Sequence, residues 1–241
     1  MTDSSAPESV GTLASRNWGL LLACTAAGAL AVPLSVVGTP TSATIAGLMS
    51  LLGLYAWRWS RLPSSAMVAA GGAGRPAWIA MAMGLGLAVG LVLLTLLRLA
   101  IEPTVPAIGA RIAAAGMQPL WFRAVIIYVA AVGEELIFRL LLLSIVAGLT
   151  SRLFGIAGWP PNWSVSCWAI GVAALAFAAV HLPAWSGAVP LTFGLMLGVL
   201  SLNALGGIVF GYVFVTRGIV LAMFVHAGAD CAIQLIGPLT R

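Results

Sequence analysis

Gly133-Glu134-Glu135-Leu136-Ile137-Phe138-Arg139 lies inside an apolar stretch that runs from Ala124 to Leu149. Two adjacent carboxyls, with a guanidinium one helical turn later, are costly in such surroundings. A charged side chain at the centre of a membrane helix costs about 2.5–3.5 kcal/mol on insertion scales, so four of them left unpaired would cost on the order of 10 kcal/mol. They must be paired, wet, or serve chemistry. The rest of the chain explains why a membrane is the relevant solvent: 61% of residues are hydrophobic, 7% are charged, and apolar runs recur along the sequence.

Where water is absent, each segment must satisfy its own backbone polar groups, so these runs are predicted to be helices; the alternation of a membrane barrel is missing. The expected fold is all-α, a polytopic bundle of about seven to eight transmembrane helices. The segments are Trp18–Val37 and then 42–57, 77–97, 120–149, 165–181, 189–214 and 219–236. Trp18–Val37 is read as a first membrane helix, because the region before it carries Asp3, Glu8 and a single arginine, unlike a signal peptide. Residues 1–17 are polar and expected to be disordered. Residues 18–119 carry no assignable motif, 120–237 hold all the motifs, and the whole is expected to form one membrane domain.

All the basic charge is arginine, eleven residues with no lysine, and it falls mostly between the apolar runs. It reads as a topology signal and excludes a nucleic-acid face. Arg16 and the group Arg58, Arg61 and Arg75 are expected on one side, the cytoplasmic one. Arg98, Arg111 and Arg123 surround a connection on the other side, which is expected to hold an interfacial or re-entrant helix. Cys24, Cys167 and Cys231 lack metal-binding or disulfide spacing and read as small core residues. Gly194/Gly198 and Gly207/Gly211 are small-xxx-small spacings suited to close packing within the bundle.

At about 100° per residue, Glu135 and Arg139 share a helix face and are expected to pair, while Glu134 points away from Arg139 toward a cavity. Phe177 and His181, four apart in Phe-Ala-Ala-Val-His, and His226 and Asp230, four apart in His-Ala-Gly-Ala-Asp, lie in later segments. Three helices can thus direct Glu134, His181, His226 and Asp230 to one point. A carboxylate beside an imidazole can take a proton from water and return it to a leaving amine, and a second imidazole can donate to an oxyanion. No serine or cysteine stands beside a histidine in these motifs, so a covalent route has less support. Taken singly, an intramembrane histidine or a Glu–Arg pair can be structural. For Glu135 and Arg139 a clamp is the expected role, and for Phe177 core packing.

Glu134-Glu135-x-x-x-Arg139, Phe177-x-x-x-His181 and His226-x-x-x-Asp230, in this order over residues 120–237, resemble the EExxxR, FxxxH and HxxxN/D pattern of the CAAX protease and bacteriocin-processing family, also called the Abi family, which includes the type II CAAX prenyl endopeptidases. The resemblance implies an intramembrane, glutamate-dependent endopeptidase. In it Glu134 and His181 would activate water, His226 and residue 230 would form the oxyanion hole, and Glu135 and Arg139 would support the site. It also implies a multi-pass protein of a bacterial-type plasma membrane, in contact with lipids and acting on a prenylated or otherwise membrane-anchored peptide or protein. Better-studied prenyl endopeptidases carry asparagine where this chain has Asp230. An ionised aspartate cannot donate to an oxyanion, so Asp230 must be protonated, orient His226, or serve otherwise.

No cofactor is expected. Two histidines and two carboxylates also make a ligand set for zinc, but without HExxH spacing a zinc-dependent protease stands second. A membrane scaffold without catalysis is the remaining alternative; a transporter is disfavoured because no internal repeat is present.

Overall fold

The computed structural model describes residues 40–60, 62, 76–156, 162–186 and 190–240, and every regular element among them is helical. The polar N-terminus and the segment Trp18–Val37 lie outside the described residues. Helix α1 is Pro40–Ser60; α2 is Pro76–Leu96, continued by a π-helical turn at Leu97–Ile101; α3 is Ala107–Gly116. A continuous helix follows, made of α4 (Leu120–Glu134), a π-helical stretch (Glu135–Leu143) and α5 (Ser144–Leu153). Then come α6 (Trp163–Ala179), the short α7 (Leu182–Ser186), α8 (Phe193–Arg217) and α9 (Ile219–Cys231), which widens into π-helix at Ala232–Ile236 and tightens to 3-10 geometry at Gly237–Thr240.

Four of the described helical segments, 76–101, 163–185, 193–217 and 219–240, are long and apolar enough to cross a membrane. The connection expected to hold an interfacial or re-entrant helix contains α3, which at ten residues is too short to cross.

Local chemistry sets several of the boundaries. The Asn162 side chain accepts from the backbone of Val165, and Thr192 does the same for Leu195, so α6 and α8 begin where an orphan amide finds a cap. Gly218, with φ of 98°, lets the chain reverse between α8 and α9 without a Cβ clash.

The arginines separate to the two ends of the bundle. At one end Arg152 donates to the Trp59 carbonyl and Arg217 lies over the Trp78 ring. At the other, Arg98 donates to Gly237, Arg111 to Ala184 and Arg123 to Gln234, each to a backbone carbonyl. Such contacts fasten the helix ends to one another.

Glycines set the interhelical distances. Gly207 and Gly211 on α8 face Ala174 and Ile170 on α6, and Gly198 faces Ile101, as suited to close packing, whereas Gly194 faces open space. The tightest approach is one that the sequence reading did not single out. Gly86 and Gly90 on α2 meet the backbone of Val225 and Ala229 on α9, and Gly228 on α9 meets the backbone around Met83, Gly86 and Leu87. This α2–α9 interface is the most extensive in the bundle, and because the opposing atoms are backbone, a Cβ there cannot be relieved by a rotamer change. Gly86→Ala is therefore expected to lower stability by about 1–3 kcal/mol, read as a lower midpoint of thermal unfolding in detergent, while Gly84→Ala, which meets open space, leaves the midpoint unchanged.

Candidate active site

Between α2, α3, α4, α6, α8 and α9 lies a cavity of about 380 Å³, within the range of about 300–1,000 Å³ usual for ligand sites. Glu134, His181, His226 and Asp230 all line it, although they come from segments separated by up to about a hundred residues. Leu93, Leu97, Ile108, Val199 and Leu202 supply an apolar wall.

Glu134 and Glu135 go to opposite environments. The Glu134 side chain is 32% exposed and borders the cavity, whereas Glu135 is fully buried. Glu135 Oε1 lies 3.0 Å from Arg139 Nη1 and 2.9 Å from His226 Nδ1. One oxygen thus serves both a guanidinium and an imidazole. Arg139 also donates through Nη2 to the Gly207 carbonyl at 3.2 Å, and its guanidinium lies over the rings of Phe177 and Phe210. Two aromatic faces and a carbonyl replace the water that a buried cation would otherwise need.

The sequence reading gave Glu135 to Arg139 alone; the structure adds His226. It also changes the basis of the helical argument. The 100° step holds only as far as Glu134, since residues 135–143 bond in the wider i→i+5 pattern, a local widening often found at functional sites.

The two imidazoles are held differently. A carboxylate accepts and does not donate, so the His226 Nδ1 carries the proton given to Glu135, and Nε2 is left facing the cavity. That Nε2 is 3.6 Å from Glu134 Oε2 and 3.8 Å from Asp230 Oδ2, too far for direct hydrogen bonds. His181 is anchored by Nδ1, which donates to the Phe177 carbonyl at 2.7 Å. Its Nε2 is thereby the free nitrogen. His181 makes no ion-pair contact with Glu134; the imidazole near Glu134 is that of His226.

Asp230 makes no direct hydrogen bond to His226, whose Nδ1 is bonded to Glu135. Phe177 packs edge-on against Phe138 and Phe210 and its ring touches both His181 and His226. Phe210, not singled out in the sequence, stacks on His226 at 4.5 Å between centroids with 17° between planes. Its only sequence signal was its place on the same long helix as the paired glycines. Among the described residues no group of three or more His, Cys, Asp or Glu is arranged to hold a metal ion.

Four helical segments apolar and long enough to cross a membrane, with a carboxylate–imidazole cluster lining the cavity among the helices, are the features of a polytopic membrane protein. The family model for type II CAAX prenyl endopeptidase Rce1-like proteins matches residues 116–232, the part that contains every motif residue, so this stretch of the chain is similar to that family and the match supports the resemblance read from the motifs. No curated protein and no solved structure matches the chain.

Loss of either member of the Glu135–Arg139 pair leaves a charge buried without compensation. Arg139→Ala and Glu135→Gln are expected to cost about 3–5 kcal/mol of stability, measured as the unfolding midpoint of purified protein. Phe210→Ala is expected to keep the fold but release His226, lowering kcat by about 10–100-fold in a cleavage assay with little change in KM.

Proposed function

We propose that the protein is an intramembrane endopeptidase in which Glu134 draws a proton from water and the resulting hydroxide attacks the carbonyl carbon of a peptide bond in a prenylated or otherwise membrane-anchored substrate. The observation that carries this reading is the shared cavity in which a partly exposed carboxylate, Glu134, faces the Nε2 of an imidazole fixed from behind by a buried one, Glu135. A base needs access to water, and an electrostatic stabiliser needs rigid support; the two adjacent glutamates divide along that line.

In the reaction a C–O bond forms and the carbonyl oxygen becomes an oxyanion. With Nδ1 committed to Glu135, His226 can donate to that oxyanion from Nε2 only as the doubly protonated ring, whose charge Glu135 behind it and Glu134 in front would balance. His181, fixed through Nδ1 by a neutral carbonyl, offers an Nε2 lone pair that can take the proton from Glu134 and pass it to the amine as the C–N bond breaks. Asp230 cannot serve as a neutral donor while ionised. Its place beside Nε2 supports a role in holding the imidazolium or the attacking water. The apolar wall suits the lipid or apolar side chains of a membrane-anchored substrate, and the similarity of residues 116–232 to the type II CAAX prenyl endopeptidases supports the same substrate class.

Glu134→Gln and His181→Ala are expected to abolish cleavage of prenylated peptides followed by mass spectrometry while leaving the thermal midpoint close to wild type. A chelator is expected to leave the wild-type rate unchanged. Full activity in Glu134→Gln would refute the mechanism, and a rate abolished by chelator and restored by zinc would replace it with metal-assisted hydrolysis.

A further inference from the structure

The cavity is walled by helices, and helix formation uses up main-chain N–H and C=O groups. A peptide that enters finds no strand edge to pair with, while each of its own main-chain groups left without a partner away from water costs free energy. Side chains must supply those partners. Apart from Glu134, His181, His226 and Asp230, the polar residues lining the cavity among those described are Arg111, Trp185, Asn203 and Gln234. Asn203 and Gln234 are carboxamides, which carry a donor and an acceptor side by side as a peptide group does. Helical spacing turns both inward: Asn203 shares a face of α8 with Val199, Gly206 and Phe210, and Gln234 shares a face of α9 with His226 and Asp230, all of which line the cavity. Asn203 is held without tying helices together. Its Nδ2 donates to the Val199 carbonyl of its own helix at 2.8 Å, whereas an asparagine that serves association in a membrane bonds across to a neighbour. That bond fixes the side-chain amide and leaves Oδ1 as an open acceptor. Arg123 donates to the Gln234 carbonyl, a main-chain contact that steadies the widened end of α9 and leaves the side-chain amide to the cavity.

We propose that Asn203 and Gln234 bind a main-chain peptide group of the substrate about three residues from the scissile bond, Asn203 Oδ1 accepting its N–H and the Gln234 amide donating to its C=O; this rests on the endopeptidase reading given above. The register of α8 and α9 sets the depth. Phe210 lies eight residues before Gly218, where the chain reverses, His226 lies eight residues after it, and the two rings stack. Asn203 and Gln234 lie 15 and 16 residues from Gly218 on the same two helices, so they stand at one level. Seven residues of α8 separate Asn203 from Phe210, about 10 Å at 1.5 Å per residue. The carbonyl under attack lies beside Glu134 and the His226 ring, and about three extended residues span the distance from there. In a trans peptide the N–H and C=O point in opposite directions, which suits partners reaching in from different helices. Contacts of this kind read no side chain; they hold the peptide extended and in register whatever its sequence at that position.

The test uses full-length Glu134→Gln protein in a neutral detergent and a fluorescein-labelled farnesylated peptide whose scissile bond is located by mass spectrometry of wild-type cleavage. Each peptide bond within about four residues of the scissile one is replaced in turn by an ester, which removes a single N–H. Fluorescence anisotropy is expected to show about tenfold weaker binding for the ester about three residues away, the size of one buried hydrogen bond, and little change for its neighbours. Asn203→Leu should weaken binding of the parent peptide by a similar factor and abolish the ester penalty, the coupling that a direct contact requires. Gln234→Leu should weaken binding yet keep the penalty, since its partner is the carbonyl. Equal affinity of all the esters for protein with both amides overturns the inference and leaves the endopeptidase reading standing. An ester penalty unchanged by Asn203→Leu overturns the assignment to Asn203. Absence of cleavage by wild type and of binding by every peptide removes the endopeptidase reading and this proposal with it. The ester comparison needs no variant at 203 or 234, so it can overturn the proposal even if Asn203→Leu fails to fold.

Discussion

The contact between Glu135, Arg139 and His226 is the constraint on which the site depends. A fully buried carboxylate in an apolar bundle is tenable only with partners of opposite charge or strong donors, and here a single oxygen meets both at 3.0 and 2.9 Å. Those partners come from different places: Arg139 lies four residues on along the same helix, and His226 lies 91 residues away. The same bond that compensates a buried charge therefore ties the α4–α5 helix to α9. It also fixes which nitrogen of His226 faces the cavity, so folding and chemistry share one interaction. Phe177 and Phe210 complete the arrangement by lying against Arg139 and His226 at once.

That polar cluster sits where it does because α2 and α9 approach backbone to backbone. Gly228 lies between His226 and Asp230 in sequence, and its close contact with α2 turns the face bearing those two side chains toward the cavity. Close packing of small residues is a main source of helix association in lipid, where apolar burial offers little driving force. The N-terminal half, which carries no catalytic motif, thus contributes structurally: α2 backs α9 and supplies Leu93 and Leu97 to the cavity wall, and α3 supplies Arg111.

Division of labour between the adjacent glutamates is a solution to conflicting demands. A proton acceptor must meet water, which weakens electrostatic contacts, while a residue that orients a charged ring works best away from water. Consecutive helical positions differ by about 100°, so neighbours in sequence can occupy such different surroundings.

The all-helical architecture was legible in the sequence because hydrocarbon leaves the backbone few alternatives, and the apolar runs from 42–57 to 219–236 coincide with described helices to within a few residues. Which residues gather was also legible, since ionisable groups in apolar segments are too costly to be incidental: Glu134, His181, His226 and Asp230 do meet at one cavity. Partner choice was not. Spacing paired Glu135 with Arg139, but only the tertiary structure brings it to His226 and sets His226 nearer than His181 to Glu134. Phe210, Gly86 and Gly90 carried no motif, because an aromatic ring or a glycine gains its role from the atom opposite it. Helix formation is local and one-dimensional, and periodicity records it; the pairing of a buried charge depends on distances between helices, which are fixed by the meeting of surfaces far apart in the chain.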